Sequence, residues 1–350
     1  MRATRRSDPY AGVVPLLALA LAVLALVSTR FGAVNIDFGD MAGAVSAALR
    51  TPERLGLTER IFLELRLPRT LACALVGASL ALCGVLMQAL FRNPIVEPGL
   101  VGTSSGAAFG AALYFVLGAS FQVHAGTWTL PIAACLGAAL ATACVLLLAG
   151  SSSGTAVGEQ STTAVLLVGI AVNALFLSGV GFLSYIARDP QARSITFWNL
   201  GTLSGASWSA VGLLALVTVP GLLLALRLAR PLNALMMGEE EAAALGVDVP
   251  RLKLAVIGLT VVLVAVATSI TGVIGFVGLI VPHLLRLLRG SDHRFLVAGS
   301  AVAGGIVLML ADLIARVLLR PAELPIGIVT SAVGAPLFVA LLRSRRQRFF

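Results

Sequence analysis

The sequence predicts an all-α polytopic membrane protein with about ten transmembrane helices, and three observations carry that prediction. Of the 350 residues, 58% are hydrophobic and 12% charged, where a soluble domain carries about 25% charged residues. Apolar runs of 18 or more residues recur along the chain, each long enough to cross a hydrocarbon core of roughly 30 Å. Arginines sit at the ends of those runs, as orientation in a bilayer requires. That placement explains much of the net charge of +9 without invoking nucleic acid.

The first span is read at 11–31. Arg2, Arg5 and Arg6 precede the run Val13 to Val27, which lacks a small-residue cleavage site before a polar start. It therefore reads as a retained helix rather than a signal peptide, with 1–10 as a cytoplasmic tail. Length supports spans at 65–91, 99–117, 128–149, 162–187, 206–228 and 295–319. The stretch from Leu254 to Leu288 has 35 residues, too many for one crossing at about 1.5 Å per residue. It is read as a pair, 252–271 and 273–289, broken at Gly272, Gly275 and Gly278. A last span at 325–342 closes a single transmembrane domain, 11–342, and leaves a basic cytoplasmic tail at 343–350.

An even number of spans places both termini on one side. With the termini cytoplasmic, 15 of the 25 Lys and Arg fall inside, from Arg2 through Arg227, Arg251 and Lys253 to Arg348. That bias agrees with the positive-inside rule. Gly102, Gly106 and Gly110 form a ladder that admits a neighbouring helix at short range. Two cytoplasmic connections stand out: the breaker-rich Asn93–Gly99, and a long loop at about 231–251. Within that loop, Glu239-Glu240-Glu241, an alanine run and Gly246 read as a short helix with acidic start and glycine cap. Loops of that length among short connections usually have a task.

Several chemistries find no support. No GxxxxGK[ST] phosphate loop is present, so the chain itself has no ATP site of that kind. Cys73, Cys83, Cys135 and Cys144 lie in apolar runs without CxxC spacing, and His124, His283 and His293 lack metal-ligand spacing. No metal or other cofactor is assigned to this chain. Asp312 and Arg316 stand one helical turn apart and are candidates to pair with each other, and Glu323 lies in the Pro321–Pro325 turn. A lone carboxylate in mid-span, as an ion-coupled transporter uses, is not evident.

The motifs Leu65-Arg66-Leu67-Pro68-Arg69-Thr70, Gly77 to Gly84, Met87-Gln88, Asn93 to Leu100 and Gly102 to Ala107 occur in this order. Downstream come Gly272 to Arg286, Asp292-His293-Arg294, Ala311-Asp312, Ala322 to Gly327, Thr330 and Gly334-Ala335-Pro336. Together they resemble the FecCD-type permease family of ABC importers, which move ferric siderophores, haem or cobalamin, from about residue 60 to the C-terminus. The resemblance implies a type II importer permease in the bacterial inner membrane. It implies a homodimer of permease subunits, two cytoplasmic ATPases carrying ATP and Mg, and a periplasmic substrate-binding protein. Arg66, Arg69 and Arg316 match positions that face acidic residues of the binding protein. Glu239, Glu240, Glu241, Leu245 and Gly246 match the coupling helix that meets the ATPase.

For cargo, Tyr185 to Gly201 resembles the haem branch more than the siderophore branches. On that reading Asn173, Ser178, Tyr185, Arg188 and Arg193 line the substrate path. Arg188 and Arg193 would meet propionates at the outer mouth, with Tyr185 or Phe197 against the macrocycle. A ferric siderophore or cobalamin is the alternative within the family, and an ion-coupled secondary transporter the alternative outside it.

Overall fold

A computed structural model describes residues 12–32, 35–50, 56–120, 126–151 and 161–346. The expected tail 1–10, His124, residues 152–160 between α6 and α7, and 347–350 of the basic tail lie outside the described residues. Among the described residues the chain is helical without a strand. The helices are α1 (Val13–Arg30), α2 (Phe38–Arg50), α3 (Leu57–Arg60), α4 (Leu67–Leu90), α5 (Thr103–Ser120), α6 (Thr129–Ser151) and α7 (Thr162–Ile186). They continue as α8 (Gln191–Leu200), α9 (Trp208–Leu235), α10 (Glu239–Ala244), α11 (Val249–Thr271), α12 (Val277–Arg289), α13 (His293–Val317) and α14 (Ile326–Arg346). A π-helical turn, Ile61–Arg66, feeds α4, and a 3-10 turn, Pro98–Val101, precedes α5.

Among the described residues, seven helical stretches are long and apolar enough to cross a membrane, and α5 and α14 contain shorter apolar ones. The pair expected at 252–271 and 273–289 is present as α11 and α12, with the break at Gly272, but the second helix starts later than expected. α12 has 13 residues, a rise of about 20 Å, which falls short of a roughly 30 Å core. A five-residue non-helical segment, 272–276, runs between α11 and α12. Such backbone is tolerated at membrane depth only where protein meets its polar groups, and just beyond it the carbonyls of the first turn of α12 are met by Gln88 of α4. Its Nε2 donates to the carbonyls of Gly278 (3.3 Å) and Leu279 (3.2 Å), while Arg286 Nη1 donates to its Oε1 at 3.0 Å.

α4 is the axis of the bundle, buried along nearly its whole length. It meets α13 where Gly77 faces Gly304, close enough that a Cβ on Gly77 would stand 2.2 Å from the Gly304 carbonyl oxygen. Lipid tails are as apolar as leucine, so helices associate through this kind of close approach and through interhelical hydrogen bonds. Ser79 Oγ to Thr218 Oγ1 at 2.7 Å ties α4 to α9, and Thr103 Oγ1 to Thr142 Oγ1 at 3.2 Å ties α5 to α6. The partner of the Gly106–Gly110 ladder is α6, through Gly137 and Ala133.

α9 overruns its expected end at 228 and passes through Pro231 to Leu235. The long loop thus shrinks to 236–248, with α10 inside it. Trp208 Nε1, at the start of α9, donates to the Leu63 carbonyl of the π-helical turn at 2.9 Å. The two ends of α9 therefore mark the two ends of the molecule: Arg66 and Arg69 lie near one, α10 at the other.

Candidate functional site

At the first end, the sequence-distant Arg66, Arg69 and Arg316 form one network. The π-helical turn, a geometry frequent at functional sites, carries Arg66 toward the end of α1. Its Nη1 donates to the Phe31 carbonyl at 2.9 Å. Arg316 Nη1 donates to the same oxygen at 2.8 Å and to Ser28 O at 3.2 Å, and its Nη2 to Ser28 Oγ at 2.6 Å. The two cations cap carbonyls that a helix C-terminus leaves without partners. Asp312, 1% exposed, stands between Arg316 Nε (2.8 Å) and Arg69 Nη2 (2.8 Å). Arg69 Nη1 reaches on to Glu323 at 2.8 Å.

This geometry corrects the expectation that three arginines face outward. Arg66 is 9% and Arg316 3% exposed, because their guanidiniums are consumed by α1 carbonyls and Asp312. The expected pairing of Arg316 with Asp312 holds, and Arg66 turns to the Phe31 carbonyl. Arg69 and Glu323 form the outward edge.

At the other end, α10 is anchored and displayed at once. Lys253 Nζ pairs with Glu239 Oε2 at 2.8 Å, and Ala242 is fully buried. The helix closes where Gly246, at φ +85°, takes a left-handed conformation that side chains disfavour. Glu240, Glu241, Leu245 and Gly246 are exposed, with Met236 and Met237 beside them. Glu239 is thus an anchor, distinct from its displayed neighbours. Asn233 at the end of α9 receives His293 N (2.9 Å) and lies 2.7 Å from His293 Nδ1. Its Nδ2 donates to Asp292 at 2.9 Å, tying α9 to the start of α13.

Between the ends lies a cavity of about 440 Å³, lined by Glu97, Ser104, Asn199, Phe276, Gly327 and Ser331 among others. Asn93–Gly99, expected as a cytoplasmic turn, re-enters the bundle here. The 3-10 turn touches Asn173, 11 residues along α7 from Thr162, about 17 Å in depth. Asn173 itself faces inward rather than into a path. Its Oδ1 accepts from Ser105 Oγ at 2.5 Å, and its Nδ2 donates to the Gly99 and Leu100 carbonyls at 3.3 Å each. Ser178, Tyr185, Arg188 and Arg193 are exposed along α7 and at the α7–α8 junction, Tyr185 at 88%.

Glu97 was missed among the site residues. Its Oε1 accepts from Phe276 N at 3.1 Å, and Phe276 holds a left-handed φ of +68° at the start of α12. The carboxylate meets the positive end of that half-helix. The signal was the breaker-rich run with Pro94, Pro98 and Gly99 just ahead of α5.

A helical bundle broken at mid-depth, with a displayed short helix at one end and a charge cluster at the other, defines a multi-pass membrane permease. The FecCD transport family model matches residues 19–344. The hemin transport system permease HmuU of Yersinia pestis is 39% identical over 340 residues, covering 96% of this chain and 98% of that one. The cobalamin import permease BtuC of Halobacterium salinarum is 39% identical over 337 residues, covering 94% and 87%. A solved inward-facing structure, described as of metal-chelate ABC transporter type, superposes with a TM-score of 0.83 at 33% identity, covering 96% and 100%. The chain belongs to the FecCD family of ABC-importer permeases.

Proposed function

We propose that this chain moves haem inward across the bacterial inner membrane, powered by a separate ATPase and fed by an extracytoplasmic binding protein. The observation that carries the cargo reading is the exposed cluster of Tyr185, Arg188 and Arg193 where α7 meets α8, together with similarity to a hemin permease along nearly the whole chain. Cationic side chains beside an aromatic suit a flat macrocycle bearing carboxylates. Cobalamin is the second reading, supported by the import permeases of equal identity.

The displayed side of α10, with Leu245, Met237, Glu240 and Glu241, is the proposed ATPase contact, and the ATP and Mg belong to that partner. Arg69, backed by Arg66 and Arg316, is the proposed docking point for the binding protein. A second copy would cover the exposed small side chains of α7 (Ala171, Ala174, Ser178) and α14 (Ser331, Ala332, Ala335), where helices can approach closely. Uptake by the reconstituted transporter of hemin, cobalamin and a ferric siderophore, each supplied with its binding protein, tests the cargo. Hemin uptake above the other two supports the proposal; preferential cobalamin uptake replaces it with the second reading.

A further inference from the structure

Glu323 closes the outward edge of the Arg69 network. The Arg69 guanidinium presents one edge, Nε and Nη2, to the buried Asp312 at 3.0 and 2.8 Å. Its remaining corner, Nη1, points to the rim and is held by Glu323 Oε2 at 2.8 Å. The two partners differ sharply in access: the Asp312 side chain is 2% exposed and that of Glu323 43%. Glu323 sits in the turn between α13 and α14, whose backbone is tethered just after it by Leu324 N to Ala315 O at 3.1 Å and Ile326 N to Gly201 O at 3.0 Å. The tethers hold the backbone, so the carboxylate can leave Arg69 while the turn stays in place.

We propose that Glu323 is an internal stand-in for an acidic side chain of the binding protein, exchanged for it when that protein docks on Arg69. The inference rests on the docking role of Arg69 proposed above. Charge explains the advantage of such a device. Arg66, Arg69 and Arg316 against Asp312 and Glu323 leave the cluster at a formal +1, and departure of Glu323 from the pair exposes a further positive charge to the partner. Without a partner, Arg69 is kept ordered and neutralised; with one, a carboxylate–guanidinium pair is replaced by another of the same kind. An exchange of like for like costs little and reverses readily, as repeated docking cycles require. The arrangement also selects against a neutral partner surface, which offers nothing to replace Glu323.

The test uses the full transporter in nanodiscs, titrated with the binding protein that stimulates its ATP hydrolysis. Glu323→Gln should tighten docking about two- to fivefold, the equivalent of a half-exposed ion pair. Arg69→Gln should weaken docking about tenfold or more, and Glu323→Gln added to it should give no gain. Arg69→Lys, which keeps a cation beside Asp312, replaces the Gln variant if that one fails to assemble. Weaker or unchanged docking by Glu323→Gln, with Arg69 variants still impaired, overturns the exchange. So does a gain that persists without Arg69, since it would reflect net charge alone. Unchanged docking by the Arg69 variants removes the docking reading itself, and the exchange with it.

Discussion

Arg66 and Arg316, 250 positions apart in sequence, donate to one acceptor, the carbonyl oxygen of Phe31, at 2.9 and 2.8 Å. α1 has few buried residues of its own, so this shared acceptor and Ser28 are what fasten its end to α4 and α13. Arg316→Met should therefore destabilise the protein by about 3 kcal/mol, because it strips a buried ion pair and the hydrogen bonds to Ser28, leaving only Arg66 on the Phe31 carbonyl. Thermal unfolding in detergent reads the loss. Cross-linking between cysteines placed on α1 and α13 should fall in parallel, and full retention of both would show that α1 is held by other means.

Glu97 gives a second prediction. Its hydrogen bond to Phe276 N joins the re-entrant segment to the head of α12. Removing a charged acceptor costs about 1.5–3 kcal/mol, enough for roughly a tenfold effect or more. Glu97→Ala should cut cargo uptake by about that factor while basal ATP hydrolysis stays within about twofold. Glu97→Gln, which keeps an acceptor oxygen, should recover part of the uptake. Equal loss in both variants would point to the charge rather than the hydrogen bond.

The anchor of α10 can be tested apart from its displayed side. Lys253→Met frees Glu239 and should lower the cargo moved per ATP without preventing assembly with the ATPase. Leu245→Asp places a charge in the proposed contact and should reduce copurification of the ATPase about tenfold, since a buried unpaired charge at an interface costs more than about 1.4 kcal/mol. If both variants behave alike, anchor and contact are not separate.

A pH effect follows from Asp292, which caps α13 just outside its span. Burial pushes its carboxyl up, but hydrogen bonds from Asn233 and the Arg294 N–H, with the Arg294 charge, outweigh that and hold it below the usual carboxylate value. A depressed folded value means that the stabilisation is present above the unfolded value and is lost as pH falls through the folded one. Wild type should lose thermal stability on acidification through that window, and Asp292→Asn should show a flatter profile. Identical slopes would remove Asp292 from the account.

The helices were legible because apolar length is a property of sequence alone. Spans such as 162–187 and 252–271 come within a few residues of α7 and α11. The re-entrant segment and the half-helix α12 were not, because tolerance of broken backbone depends on who buries it. Only the fold brings Gln88 to Gly278 and Glu97 to Phe276. Motif order placed Arg66, Arg69 and Arg316 in one group correctly, yet not their direction, since the acceptor at Phe31 carries no sequence signal. Glu323 could be placed in its turn by the flanking prolines, but its partner could not.

The most direct test of the central claim measures hemin accumulation in proteoliposomes holding this chain, with and without its ATPase, binding protein and ATP. The account predicts accumulation above the external level only when all of them are present. Accumulation by the chain alone, driven by a proton or sodium gradient, would contradict it.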